Sequence, residues 1–285
     1  MKKNYPFLHF LYISTLLLLT ACGSTNKDVY VTPNEYDLNH PYKMDMPSEL
    51  NEISGIYYYA KDTSIFAISD ATGWLYKIFL KKELAIQKWK FEKNDDYEDI
   101  QLIDSVFYIL SSKGDIVRVK FNSADSLQVD KFKFPEKGNE FESMFYDAKT
   151  GSLNIVCKDC VGDKKKIVST WAFDLTHETY QLSAFSIDVA PIAKSFNLEK
   201  IHFKPSAAAV NPLTNEVFIV SSVNKTLIIT DTSGQVKSVY PLNPSLYKQP
   251  EGLAFTPAGD LLISNEASEN GYANILILKL KKASK

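Results

Sequence analysis

The chain has 285 residues, of which 45% are hydrophobic and 23% charged, and its formal net charge is −2. That apolar content suffices for a large core. The near-neutral balance, with Arg118 as the sole arginine, excludes a nucleic-acid reader, because bidentate phosphate recognition depends on arginine and no basic run stands out to attract a polyanion.

At the N-terminus Lys2-Lys3 precedes a mainly apolar run from Phe7 to Leu19, and Leu19-Thr20-Ala21-Cys22 closes it. A charged start, a short apolar stretch and small residues before a cleavage point describe a secretory signal. The run is short for a membrane-spanning helix, which needs about 20 residues. Leu-Thr-Ala-Cys resembles the lipobox of bacterial lipoproteins, which implies that Cys22 is acylated through its sulfur and becomes the mature N-terminus. Two or more acyl chains anchor a protein stably. The chain is thus expected to comprise a signal peptide at 1–21, a polar lipidated tether at 22–39 and one folded domain at 40–285. The expected location is the bacterial cell envelope, on the periplasmic face or the surface of the outer membrane.

Tyr42 to Met46 alternates in polarity and reads as a lone strand. Beyond it one layout recurs. Gln249 to Asn265 reads as an apolar strand, a polar turn with Pro257 and Gly259, and a second apolar strand; Pro sets φ for the first turn position and Gly tolerates positive φ. Equivalent hairpins start at 54, 98, 142, 206 and 251, spaced by 44, 44, 64 and 45 residues. A period of about 40–50 residues holding four strands is the signature of propeller blades. The expected fold is all-β, a five-bladed β-propeller with blades near 50–93, 94–137, 138–200, 201–246 and 247–285. The long third step holds an insertion or, alternatively, a degenerate sixth blade. The last blade has three strands of its own, so the N-terminal strand is expected to close the ring and remove an exposed edge.

Inner strands of a propeller begin around one mouth of the central channel, so Ser54, Glu98, Glu142, Ser206 and Glu251 are expected to circle one axis. The returning strands bring Asp70, Ser112, Lys158, Ser222, Asn265 and Glu266 to the same face, and Asp99 adds an acid. Crowded carboxylates raise one another's pKa unless a cation compensates, and oxygen-only donors suit a hard ion such as Ca²⁺. Glu98, Glu142 and Glu251 are therefore the candidate metal ligands, with Lys158 as an internal counter-charge. A merely polar, water-filled funnel accounts for the same residues.

Cys157 and Cys160 bracket a strand end. Outside the cytoplasm they suit a local disulfide or two packed thiols; a metal site would need two further soft ligands. Of four histidines, only His202 is placed to reach the mouth as a general base, and no Gly-X-Ser-X-Gly elbow is present. Trp74, Trp89 and Trp171 are expected to pack between blades, Trp74 nearest the mouth.

Glu52-Ile53-Ser54-Gly55-Ile56, Phe66-Ala67-Ile68-Ser69-Asp70 with Gly73-Trp74-Leu75-Tyr76, and Gln249-Pro250-Glu251-Gly252-Leu253-Ala254-Phe255 with Ile263-Ser264-Asn265-Glu266 resemble the SdiA-regulated (YjiK-like) β-propeller family across about 40–280. The resemblance implies a secreted or membrane-attached propeller, with links to calcium in some relatives, and supplies no catalytic set. The expected function is an envelope lipoprotein that binds a cation, a small ligand or a protein partner at its funnel. The alternative is a calcium-dependent esterase, phosphatase or lactonase using the same acids.

Overall fold

A computed structural model describes Met1 and residues 29–80, 84–124, 126–269 and 271–281. The expected signal peptide, apart from Met1, and Cys22 lie outside the described residues.

Strand β1 (Tyr42–Asp45) precedes a first blade of β2 (Ile53–Tyr59), β3 (Ser64–Ser69), β4 (Thr72–Phe79) and β5 (Ala85–Lys90). The second blade is β6 (Tyr97–Ile103), β7 (Val106–Ser111), β8 (Ile116–Ser123) and β9 (Ser126–Phe132). The third holds β10 (Glu140–Asp147) and β11 (Ser152–Asp159), a short β12 (Ile167–Val168), then β13 (Thr170–Asp174) and β14 (Thr179–Leu182). After β15 (Ile187–Asp188) and helix α1 (Ala190–Ser195), the fourth blade comprises β16 (Ala207–Val210), β17 (Val217–Ser221), β18 (Thr226–Thr230) and β19 (Val236–Pro241). The fifth holds β20 (Pro250–Phe255), β21 (Leu261–Asn265) and β22 (Asn274–Leu278).

Each blade is a four-stranded antiparallel sheet, and β1 supplies the fourth strand of the fifth. Tyr42 lies opposite Ile277 and Asp45 opposite Asn274, so the ring closes as expected. The inner strands β2, β6, β10, β16 and β20 contact one another in cyclic order. The long third step is an insertion: β12 pairs with β15, and α1 follows and packs on β19. Pro191 falls in the first turn of α1, where its missing N–H costs no helical bond. The propeller therefore has five blades, not six.

Central strands are buried on both faces, as in β3, β17, β18 and β21, where every residue is buried; a continuous apolar run is what such a strand shows in sequence. The outermost β5 instead has only exposed and half-buried positions. Edge-to-face aromatic pairs tie blades together, including Phe66 with Phe107 at 4.6 Å and Phe218 with Phe255 at 5.1 Å. Trp89 joins the first two blades, packing on Phe121 and donating its indole N–H to the Ala124 carbonyl. Trp171 meets Phe134 across the next boundary. Trp74 packs against the cluster shared by the first and fifth blades, as expected, and lies under Lys88 and Lys90 of its own blade.

The inner strands start at one face, the funnel face, and their hairpins turn at the other, the turn face. At the turn face a cavity of about 670 Å³ is lined by Tyr57, Tyr59, Gln101, Phe145, Tyr146 and Phe255, among others.

The tether expected to reach Asn39 is shorter than that. Tyr36 and Leu38 are fully buried in the cluster shared by the fourth and fifth blades. The Tyr36 hydroxyl donates to the Gly259 carbonyl at 2.6 Å, and Tyr247 donates to the Leu38 carbonyl at 2.9 Å. Two apolar anchors among polar neighbours show no periodicity, so the clasp is silent in sequence. Tyr36→Ala should cost about 3–5 kcal/mol, the loss typical of a buried aromatic, and Tyr36→Phe about 1 kcal/mol, one hydrogen bond. Urea unfolding monitored by tryptophan fluorescence measures both; an unchanged midpoint for Tyr36→Ala would return these residues to the tether.

Candidate functional site

Four inner strands carry a bulge at the same place; in β2 Ile53 pairs with Ser69 and Ile56 with Ala67. Tyr97 pairs with Ser111 and Asp99 with Leu110, leaving Glu98 as the extra residue. Glu142 is skipped in the same way between Phe141 and Ser143, and Glu251 between Pro250 and Gly252. A bulge bends the strand and re-aims a side chain. Here it brings acids from the second, third and fifth blades within electrostatic reach of one another: burial first, then Glu142 and Asp96, push Glu98 up to about 10. Glu251 is held well above the usual carboxylate range by burial, with Glu142 and Glu266 adding to it.

Lys158, at the end of β11, bonds Glu142 and lies 2.8 Å from Glu140. Burial lowers its affinity for the proton, but those two carboxylates prevail and raise it. Glu142 is pushed by burial to about 7 despite the lysine. Cys157 and Cys160 are joined in a disulfide that brackets Lys158 and Asp159. Asp159 pairs with Lys204 at 2.8 Å, and His202 stands 3.7 Å from it. His202 thus lines a small cavity beside the disulfide.

Other expected members of the ring have structural work instead. Ser54, at the bulge of the first blade, and Ser206, at the equivalent position in the unbulged fourth, are both buried. Their hydroxyls donate to the carbonyls of Tyr97 at 2.9 Å and Pro250 at 2.6 Å, stapling each blade to the next. Asp99 is buried between the second and third blades, accepting from the Ile100 and Met144 amides, each at 2.7 Å. The close approach requires Gly55, since a Cβ there would meet the Asp99 Cα at 2.5 Å. Asn265 is buried inside the fifth blade, bonded to Asn274 and Leu246. Ser222 stays at the mouth, hydrogen-bonded to Glu251.

Asp70 and Glu266 do meet, and Glu52 joins them: carboxylate oxygens of the three lie within 4.8 Å of one another. Glu52 and Asp70 flank the first hairpin, whose backbone ties them through the Asp70 amide and Glu52 carbonyl at 3.1 Å. Glu266 follows β21, its amide donating to the Gln249 carbonyl and its side chain accepting from Gln249 at 2.8 Å. Burial, then Glu52 and Asp96, raise Asp70 to about 6; burial, then Asp70 and Glu52, raise Glu266 to about 8. One Asp70 oxygen is buried with no hydrogen-bond partner. Glu52 and Asp96 were not expected at the mouth, although a signal existed. Each lies two residues before a bulge position, as does Glu140.

A five-bladed propeller with a carboxylate-rich funnel defines the class of this protein. The chain belongs to the SdiA-regulated family, whose family model matches residues 33–268. Among solved structures it is similar to glutaminyl cyclase of Myxococcus xanthus, with a TM-score of 0.57 and 11% identity over 85% of this chain and 97% of that one. It is also similar to a calcium-binding protein, regucalcin, of Agrobacterium tumefaciens, with a TM-score of 0.48 and 12% identity over 87% and 95%. Streptogramin B lyase gives a TM-score of 0.43 and 11% identity over 84% and 98%. Likeness at such identities shows the fold alone. Among curated proteins none matches.

Because Asp70 and Glu266 hold protons more tightly folded than unfolded, their contribution to stability is full below about pH 4 and is lost as pH rises through the folded values. In chelator, Glu266→Gln should therefore lose less stability than the parent between pH 5 and 9 on this rule, and gain most on it above the folded value of about 8. Thermal unfolding across that range checks this; parallel profiles would contradict it.

Proposed function

We propose that this protein is an envelope lipoprotein whose funnel face binds Ca²⁺, held first by Glu52, Asp70 and Glu266 with Glu98 and Glu251 behind them. The observation that supports this reading is the approach of three carboxylates within 4.8 Å, with no lysine bonded to any of them among the described contacts. Like charges that close raise each other's pKa unless a cation intervenes. An all-oxygen donor set suits a hard ion that takes six to eight ligands, with carboxylates in one- or two-oxygen modes. The orphaned Asp70 oxygen is a donor left free for it. Glu142, first expected as a ligand, already has Lys158, which shifts the preferred site outward. The ion's remaining positions would face the solvent, open to an oxygen-bearing small ligand or an acidic group on a protein partner. The hydrolase alternative draws no support from His202, which is engaged beside Asp159.

Thermal unfolding after chelation, then with Ca²⁺ added to 100 times its dissociation constant, should show stabilisation of about 2.7 kcal/mol, a few degrees for a protein of this size. Glu52→Gln combined with Glu266→Gln should abolish that shift. A shift that survives both substitutions would place the ion elsewhere, and no shift at all would leave a solvated funnel.

Membrane attachment rests on Leu19-Thr20-Ala21-Cys22. Cys22→Ser should move the protein from the membrane fraction to the soluble fraction of lysed cells; retention on membranes would overturn the anchor.

A further inference from the structure

We infer that the anchored protein stands with its turn face toward the membrane and its acidic funnel toward the aqueous phase. This rests on the proposed anchor at Cys22. Apart from Met1, the described residues start at Val29, and the first of them are fixed at the turn face. Tyr30 and Asn39 exchange hydrogen bonds of 3.0 and 2.8 Å. Tyr36 is held by Gly259 and by the Asn211 amide at 3.4 Å, both in turns of inner hairpins. The Lys281 amide, beyond the end of β22 at the same face, donates to the Glu35 carbonyl at 2.8 Å.

Six residues lie between Cys22 and Val29, and the seven steps across them reach about 25 Å at full extension. Climbing the fifth blade from the turn face to the funnel face, along the six residues of β20, consumes about 20 Å. Too little remains to clear the rim and invert the domain. Charge acts in the same sense, because carboxylates are repelled by the negative potential of anionic lipid. Exposed Leu213 and Val31 stand by the exit of the chain, and the 670 Å³ cavity opens on the side facing the bilayer. A ligand for the acidic cluster then arrives from solution, unobstructed by lipid.

The test uses full-length lipidated protein reconstituted in vesicles of phosphatidylethanolamine and phosphatidylglycerol that carry an acceptor dye on their headgroups. Leu213→Cys, at the turn face, and Val223→Cys, in the β17–β18 turn at the funnel face, are both exposed positions for a donor fluorophore. The label at 213 should lose more donor emission to the membrane than the label at 223. A flexible Gly/Ser insertion after Thr25 should narrow the difference, since such linkers behave as random coils. Equal or reversed loss on vesicles that the protein demonstrably floats with would overturn the orientation. Failure to float, with wild-type Cys22 present, would instead remove the anchor and the orientation with it.

Discussion

Closure of the ring through β1 and β22 is the constraint on which the rest of the structure depends. A propeller blade buries both sheet faces against its neighbours, so each inter-blade cleft is sealed only if all five are. The four backbone pairs from Tyr42–Ile277 to Asp45–Asn274 join residues from opposite ends of the domain, and such pairing is entropically the most expensive contact in the fold. Its reward is a fourth strand over β22, which completes the fifth blade, and burial of Tyr36 and Leu38 alongside it. The acidic cluster inherits this dependence. Glu52 and Asp70 come from the first blade and Glu266 from the last, and only a closed ring sets β2 against β20.

The funnel face concentrates charge that a folded protein ordinarily disperses. What opposes it is a set of neutral staples one layer deeper. Ser54, Ser206 and Ser264 hydroxyls each donate to a backbone carbonyl of an adjacent blade, and Asp99 accepts two amides. Gly55 and Gly252 leave room for the strands to approach. One position at the start of the inner strand therefore serves two ends. Where it carries serine it binds blade to blade, and where it carries glutamate it presents charge to the axis.

Much of this was legible in sequence because its causes are local. Apolar runs of five to eight residues, turns marked by Pro257, Gly259 and Gly151, and a repeat near 44 residues together dictate blades. The spacing placed Glu98, Glu142 and Glu251 at equivalent positions, and the strand register agrees. What escaped depends on which way a side chain turns. Nothing in the residue types distinguishes Asp99, turned into the blade interface, from Glu98 beside it; the bulge decides, and a bulge is a tertiary event. The roles of Ser54 and Ser206 were hidden for the same reason, since a hydroxyl at a mouth and a hydroxyl in a staple read alike. The clasp of Tyr36 and Leu38 lacked any period to detect.

The acids of the funnel fall into two tiers with different electrostatics. In the inner tier Lys158 answers Glu140 and Glu142, and the Cys157–Cys160 disulfide closes the loop that carries it. That lysine is thus held in place rather than free to follow charge as it appears. The outer tier of Glu52, Asp70 and Glu266 lies at the solvent edge with a hydrogen bond from Gln249 but no bonded cation. A tier that carries its own counter-charge is complete in the folded chain, whereas one without it can lower its energy in only two ways, by retaining protons or by taking up an ion. Near neutral pH the first route is only partly open to Asp70, with a value of about 6. The outer tier therefore holds its protons to higher pH than free carboxylates would, Asp70 to about 6 and Glu266 to about 8.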